Sequence, residues 1–363
     1  MSLHRLHLPP EWRQELQKLY IVRAVHGTTA IEGNPLSEQE VSRQLAKGRG
    51  QGIKDQVHRQ TKNAADAFAW IEQHFATPRA LLLEDLLEIH RLITTGSDEH
   101  ENVPGRFRES GHNVTVGSPQ LGGVHQPPPG GEATKHLVQR FLEFVNSRRF
   151  KGLPPVMQAL IAHFYFVTIH PFGNGNGRTT RCIEAAILHG SGYNTYGFYS
   201  LSNYFYRNRD DYFRKLQETR MQYRYDLTTF LQFGLKGFRE ELERINAYVR
   251  NRTHRLHYRE MIRRCLEKKV GKRRRLINER EAKLLHAILD ASEPADPFSD
   301  EPAKEATWHE LWPLVRSFFV GKTPRTISRE VARLEELGFL KVVQADRLGD
   351  SSLLIRFDAI EKY

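Results

Sequence analysis

The sequence predicts a mostly α-helical protein that carries a short β-hairpin flap and ends in a small winged helix-turn-helix domain of α+β type. Three observations predict it. Apolar residues recur at helical spacing through most of residues 10–266. The stretch 95–131 breaks that period and is rich in Gly and Pro. The last segment reads helix, helix, helix, β-hairpin, which is the winged helix-turn-helix order.

The first helix fits Glu11–Val25, where Trp12, Leu16, Leu19, Ile21 and Val22 keep the period. Further helices fit Glu38–Ala46, Ile53–His74, Leu81–Thr94 and Thr134–Asn146. Pro155 opens the next, since proline is tolerated in a first helical turn. It reads PVMQALIAHFYFVTIH, apolar nearly all round, and is predicted as the buried central helix. Arg178–His189 follows and ends at Gly190; Asn208–Arg220 and Leu227–Leu266 are a medium and a long helical region. Thr95–Gly131 contains VTV and GGVHQPPP, which suit a hairpin or extended flap, and a connection this long is usually functional or disordered.

After residue 276 helices fit Asn278–Leu289, Trp308–Phe319 and Thr326–Leu337, then strands Phe339–Val343 and Ser352–Phe357. Glu293–Glu305 is an acidic, proline-bearing loop between the first two. The predicted divisions are N-terminal helices at 1–94, a core with its flap at 95–267, a basic linker at 268–276 and the winged helix at 277–363.

At 363 residues, 39% hydrophobic and 27% charged, the chain has an ordinary globular composition for two or three domains. No apolar run approaches the roughly 20 residues of a membrane helix, so no membrane partner is expected. The start, MSLHRLHLPPEW, lacks the apolar core of a signal peptide. Two cysteines, Cys182 and Cys265, rule out a disulfide framework, and the expected setting is reducing and cytoplasmic. The net charge of +11 is concentrated between Asn251 and Arg280, which alone carry +9, including the run KKVGKRRR. Such a cluster can bind nucleic acid; a solvated linker or helix face is the plainer reading.

The sharpest chemical signal is His170-Pro-Phe-Gly-Asn-Gly-Asn-Gly-Arg-Thr-Thr-Arg181. Gly173, Gly175 and Gly177 alternate, so the backbone can turn tightly and expose its amides. A helix beginning near Asn176 adds its positive N-terminal end, giving an anion cradle suited to phosphates. Arg178 and Arg181 share one helix face, and each can grip a phosphate with paired donors. A neutral His170 just ahead of the cradle can take a proton from an attacking hydroxyl. The loop follows a helix and has no Lys, so neither a Walker nor a dinucleotide loop fits. His163, one heptad before His170, reads as a satisfied core histidine, and Cys182 as packing.

The segment resembles the signature of the Fic (filamentation-induced-by-cAMP) family, HPFx[DE]GNGRxxR, and the resemblance spans roughly residues 10–265. It implies a nucleotidyltransferase that moves AMP from ATP to a Ser, Thr or Tyr hydroxyl of a target protein, itself included. His170 would be the general base and Phe172 the loop's anchor. Asn176 and the Gly175 and Gly177 amides would hold the α- and β-phosphates, with Arg178 on the β- and Arg181 on the γ-phosphate. The family's Mg²⁺-holding acid is Asn174 here, a neutral ligand where hard cations favour carboxylates. Thr28-Thr-Ala-Ile-Glu32-Gly33 resembles the family's inhibitory motif, [ST]xxxE[GN], in which Glu32 would pair with Arg181; the same residues also read as a plain helix end. Gly105–Arg108, Asn113–Val116 and Gly122–Pro128 resemble the frame of the target-docking flap, with Gly122, Gly123, Val124 and His125 presenting an open strand edge. Tyr212 and Phe213 stand where the family places an aromatic pair near the adenosine.

Ile327, Val331 and Leu334 fit the buried face of the last helix, and Arg325, Arg329 and Arg333 an outward row for a DNA or protein partner. Two alternatives stay open: a DNA-binding regulator whose Fic-like domain senses nucleotide, and a hydrolase that removes AMP with Glu32 positioning water.

Overall fold

The computed structural model describes residues 9–47, 55–96, 102–192, 200–222, 224–270, 274–343 and 348–363. The chain divides into two compact units, Met1–Leu242 and Glu243–Tyr363.

In the first unit α1 (Pro10–Ile31), α2 (Glu38–Ala46), α3 (Gln56–His74) and α4 (Leu83–Thr94) precede a hairpin of β1 (Val116–Ser118) and β2 (Gly123–His125). Then come α5 (Glu132–Asn146), α6 (Arg148–Lys151), α7 (Pro155–Ile169), α8 (Asn176–Gly190), α9 (Leu201–Arg207) and α10 (Arg209–Met221). α11 (Thr228–Glu267) runs on past the end of the unit. As its all-round apolar pattern predicts, α7 is the central helix: Leu160, Phe164 and Phe166 are wholly buried. α8 packs along it, so the loop between them is held at both ends by core helices.

Several details differ from the predicted elements: α1 runs to Ile31, past the predicted end at Val25, and α6 is an added short helix. The helix predicted from Asn208 is preceded by α9, because Asn208 breaks one helical run into two, its backbone at φ −119° and ψ 41°. The flap hairpin is shorter than the predicted extended run: β1 begins at Val116, paired antiparallel with His125.

The second unit holds a two-residue-per-strand hairpin, β3 (Lys269–Val270) with β4 (Arg274–Arg275), in the basic stretch predicted as a linker. Its residues 271–273 lie outside the described residues. α12 (Glu279–Ala291), β5 (Ala306–Thr307), α13 (Trp308–Val315), α14 (Pro324–Glu336), β6 (Leu340–Val343), β7 (Ser352–Ile355) and α15 (Ala359–Lys362) follow. The sheet is antiparallel in the order β5-β7-β6. The C-terminal part of α11 supplies Tyr258, Met261, Ile262 and Cys265 to this unit's core. The division therefore falls inside a helix, after Leu242, and not in the basic stretch.

On α14, Ile327, Val331 and Leu334 are buried as predicted. Arg333 is not part of an outward row: it donates to both Glu281 carboxylate oxygens at 2.7 and 2.9 Å and to the Leu276 carbonyl at 2.6 Å. Buried Glu330 accepts from Arg280 at 2.5 Å. Inside this small core each charge needs a partner. Arg325 and Arg329 stay exposed.

Candidate active site

His170 caps α7 in the left-handed region, at φ 50° and ψ 59°. A non-glycine residue pays about 1–2 kcal/mol for that conformation, so the surroundings must hold it. Arg108 does so. Its Nε donates to the His170 carbonyl at 2.8 Å, and its other nitrogens donate to the His112 and Pro128 carbonyls at 2.9 and 2.8 Å. One buried guanidinium thus ties both feet of the flap to the residue that starts the loop.

The His170 Nδ1 lies 3.2 Å from the Val167 carbonyl. A carbonyl only accepts, so Nδ1 carries the hydrogen and Nε2 is the basic nitrogen. Burial, and the Arg220 and Arg108 charges, outweigh that bond and hold the imidazole down to about 4. It is neutral and able to accept a proton at neutral pH.

The loop closes on itself through Asn176, whose Oδ1 accepts from the Phe172 amide at 3.0 Å and whose Nδ2 donates to the Phe172 carbonyl at 2.9 Å. Asn176 was expected to hold phosphates; its side chain is spent on the loop's shape. Gly175 caps α8 at φ 73°, and a Cβ there would come within 2.7 Å of Thr94 Cγ2. Phe172 is wholly buried and stacks on His90, ring centroids 3.6 Å apart. His90 Nε2 donates to the Asn174 carbonyl at 3.0 Å, and its Nδ1 accepts from the Gly105 amide at 3.0 Å. Burial holds His90 down to about 4, in keeping with that neutral tautomer.

Asn174 itself is exposed, and its Oδ1 accepts from the Gly175 amide at 2.5 Å. Among the described residues no group of three His, Cys, Asp or Glu side chains is placed to hold a metal. The residues present fit Mg²⁺ poorly: Asn174 offers one neutral oxygen, already engaged, so the ion would rest mainly on ATP oxygens and water.

α1 ends where its sequence says a helix should. The Gly33 amide donates to the Ala30 carbonyl at 3.0 Å and the Asn34 amide to the Thr29 carbonyl at 3.1 Å, with Gly33 at φ 93°. This is a Schellman cap. The same turn delivers Glu32 and Thr28 to Arg181. Arg181 Nη2 donates to Glu32 Oε1 at 2.6 Å and to the Thr28 carbonyl at 3.0 Å, and Nε donates to Thr28 Oγ1 at 2.8 Å. α1 thus ends at Gly33 and also brings Glu32 against Arg181. Burial pushes the Glu32 carboxyl up, but Arg181 and Arg178 outweigh it and leave it below the usual carboxylate range. A Cβ on Gly177 would lie 2.3 Å from Glu32 Oε1, so the carboxylate rests on the first turn of α8.

The flap is fastened from behind. Gln217 Nε2 donates to the Val116 and Gly123 carbonyls, each at 3.0 Å, and its Oε1 accepts from Arg220 at 3.0 Å. His125 is buried with Nε2 donating to the Thr168 carbonyl at 2.9 Å, so it anchors the flap and does not face outward; Val124 does, at 38% exposed. Tyr212, expected beside an adenosine, is 1% exposed, stacked on Phe205 with its hydroxyl 2.9 Å from His163 Nε2. It backs Arg181 and offers no open face.

Sequence reasoning passed over His90, Gln217 and Glu184, and placed Arg108 only within the frame of the flap. The available signal was a titratable side chain at a core position: His90 shares a stripe with Leu86 and Ile93.

Residues 80–188 match the model of the Fic/DOC family. Relatives described as protein adenylyltransferase Fic are 31% identical over 196 residues in Drosophila ananassae, covering 53% of this chain and 37% of that one. In Drosophila grimshawi the figures are 31% over 185 residues, 50% and 35%. The chain thus spans little more than a third of the length of these relatives. A solved Fic family protein from Desulfovibrio desulfuricans aligns with TM-score 0.53 at 21% identity, over 96% of this chain and 89% of that one. A Fic domain containing signaling protein from Bacteroides thetaiotaomicron aligns with TM-score 0.52 at 19% identity, over 65% and 90%. At such identities the likeness is one of fold. The likeness to the Fic/DOC family therefore lies in residues 80–188 of this chain.

Proposed function

We propose that the protein transfers AMP from ATP to a hydroxyl of a protein, its own chain included, and that Glu32 holds this activity down. The observation that carries the reading is the meeting at one loop of a neutral base and an anion site already engaged by a carboxylate. His170 Nε2 takes the proton of a Ser, Thr or Tyr hydroxyl as that oxygen attacks the α-phosphorus of ATP, and pyrophosphate leaves. The amides around Gly175 and Gly177 and the Arg178 guanidinium hold the phosphates and stabilise the developing charge. Arg181 takes the γ-phosphate once Glu32 has moved aside. The target segment lies along the open edge of the flap near Val124. Mg²⁺ bound to the triphosphate would add charge neutralisation, with Asn174 as a weak protein ligand.

The second unit is read as a winged helix-turn-helix module that contacts a partner, DNA or protein, through the exposed start of α14 with Arg325 and Arg329. No helix among the described residues is long and apolar enough to cross a membrane, and the cytoplasmic setting inferred from the sequence suits this chemistry.

The test is incubation of the full chain with ATP labelled at the α-phosphorus, comparing wild type, Glu32→Gly and Glu32→Gly with His170→Ala. Label that enters protein in the first variant and not in the second supports transfer. Label released as free AMP from a pre-modified protein, dependent on Glu32, favours the hydrolase instead. Nucleotide-dependent operator binding without any labelling favours the regulator.

A further inference from the structure

Beside Arg181 lies a buried chain of polar side chains that the transfer step does not use. His163 is wholly buried on α7, with Nδ1 2.8 Å from Glu184 Oε2 and Nε2 2.9 Å from the Tyr212 hydroxyl. Tyr212 in turn lies beside Arg181, close enough for its oxygen to couple to the guanidinium charge. Side-chain exposures of 1% for Arg181 and 3% for Glu184 exclude water as a competing partner.

The two ends fix the direction of every bond. A guanidinium only donates and a carboxylate only accepts. Between them a neutral phenol and a neutral imidazole each have one hydrogen to give and one lone pair to offer. His163 Nδ1 therefore donates to Glu184, Tyr212 donates to His163 Nε2, and the Tyr212 oxygen is left to turn its lone pairs to the Arg181 guanidinium. Burial lowers the His163 pKa against the pull of Glu184, which suits the neutral ring this order requires. A chain with both ends specified and no spare donor has one satisfied arrangement, so it specifies a position.

The hydrogen bonds that hold Arg181 from α1 come from Thr28 and Glu32. Of these, only the Glu32 bond belongs to the blocked state; Thr28 is wholly buried within α1 and keeps its two bonds. Tyr212, His163 and Glu184 stand on α10, α7 and α8, and remain when Glu32 is withdrawn.

We propose that Glu184, His163 and Tyr212 are positioning residues that hold Arg181 aimed at the terminal phosphate when Glu32 has left it, and so set the preference for a nucleoside triphosphate over a diphosphate. The inference rests on the proposed role of Arg181 at the γ-phosphate.

The measurement is the affinity of the full chain for ATP and for ADP by calorimetric titration, in the Glu32→Gly background, with thermal melts alongside. Tyr212→Phe removes the hydroxyl and keeps the ring; it is expected to lower the ATP-over-ADP preference about three- to tenfold, the worth of one hydrogen bond. His163→Leu should do the same, and His163→Gln should restore the preference, since an amide can donate to Glu184 and accept from Tyr212. A merely structural role would lower the melting temperature and weaken both nucleotides alike, and that result overturns the proposal. Arg181→Ala separates the two claims. If it abolishes the preference while Tyr212→Phe and His163→Leu leave it intact, the positioning chain is wrong and the role of Arg181 stands. If Arg181→Ala leaves the preference intact, both fall. Should Tyr212→Phe not fold, the contrast of Leu with Gln at His163 decides alone.

Discussion

Glu32 Oε1 sits 2.6 Å from Arg181 Nη2, in the space that a side chain on Gly177 would need. A carboxylate there satisfies the same groups that a phosphate oxygen would: a helix N-terminus and a guanidinium. The Glu32 side chain is 35% exposed while that of Arg181 is 1% exposed, so the glutamate is the partner that can leave. When it swings into water the buried Arg181 loses its counter-charge, a cost that a phosphate arriving in its place offsets.

Glu32→Gly should therefore raise self-labelling. A hydrogen bond to a charged group is worth about 1.5–3 kcal/mol, and each 1.4 kcal/mol on the barrier is about tenfold in rate. The expected gain is roughly ten- to a hundredfold at saturating ATP, and Arg181→Ala in the same chain should erase it. Equal labelling by folded wild type and variant would reduce Thr28–Gly33 to a helix cap.

His170 should set an unusually low acid limb. Its conjugate acid cannot accept a proton, and burial with Arg220 and Arg108 holds it to about 4. Single-turnover labelling by Glu32→Gly is expected to stay flat from pH 8 to about 5 and to fall tenfold per unit below about 4. A limb near 6.5 would show that another group is the base. Because His90 and His170 are both held neutral in the fold, stability is fully present above about 6.5 and lost as pH falls through about 4. Circular dichroism at each pH separates that loss from the chemistry. His170→Ala should cost about 10²–10⁴-fold in transfer with ATP affinity nearly unchanged.

Asn174→Asp should lower the Mg²⁺ concentration needed for half-maximal labelling and raise the rate. The carboxylate can accept the Gly175 amide as Oδ1 does now, so the loop keeps its shape. It adds a charge where a hard cation prefers one. A Mg²⁺ titration with no shift in midpoint or plateau would remove position 174 from the metal's surroundings.

The helices, the loop and the pairing of Glu32 with Arg181 were legible because each has a local or motif signal: a period, a cap, alternating glycines. The supports were not. Arg108 reaches carbonyls at His112, Pro128 and His170, and nothing in the chain near it announces three acceptors brought together by the fold. The unit boundary has no sequence signal for a related reason: α11 keeps one helical period while its two parts serve different cores, so the pattern shows no break after Leu242. Arg333 looked like surface because its spacing continues from Arg325 and Arg329; only the tertiary structure puts Glu281 beside it. Tyr212 stands by resemblance in an aromatic pair near the adenosine, with core packing nearly as good a reading; in the structure its ring is buried and its hydroxyl meets His163.

Gly177→Ala tests whether carboxylate and phosphate use one space. The substitution suits the helix itself, where alanine is favoured over glycine by about 1 kcal/mol. The added methyl would stand 2.3 Å from Glu32 Oε1 and 3.2 and 3.3 Å from the Arg181 terminal nitrogens. Glu32 is the far end of a flexible, part-exposed chain, so it yields and the fold remains. Displacing Glu32 in this way removes the same contact that Glu32→Gly removes. If the block were simply the ion pair, the two variants would be activated alike. The β-phosphate, however, is expected on the same amides, and the methyl excludes it as it excludes the carboxylate. Gly177→Ala should therefore label no faster than wild type, and in the Glu32→Gly chain it should weaken ATP about tenfold or more, the loss of a charge-assisted contact. Activation of Gly177→Ala to the level of Glu32→Gly would mean that the phosphates bypass the first turn of α8, and the cradle would have to be rebuilt around the arginines alone.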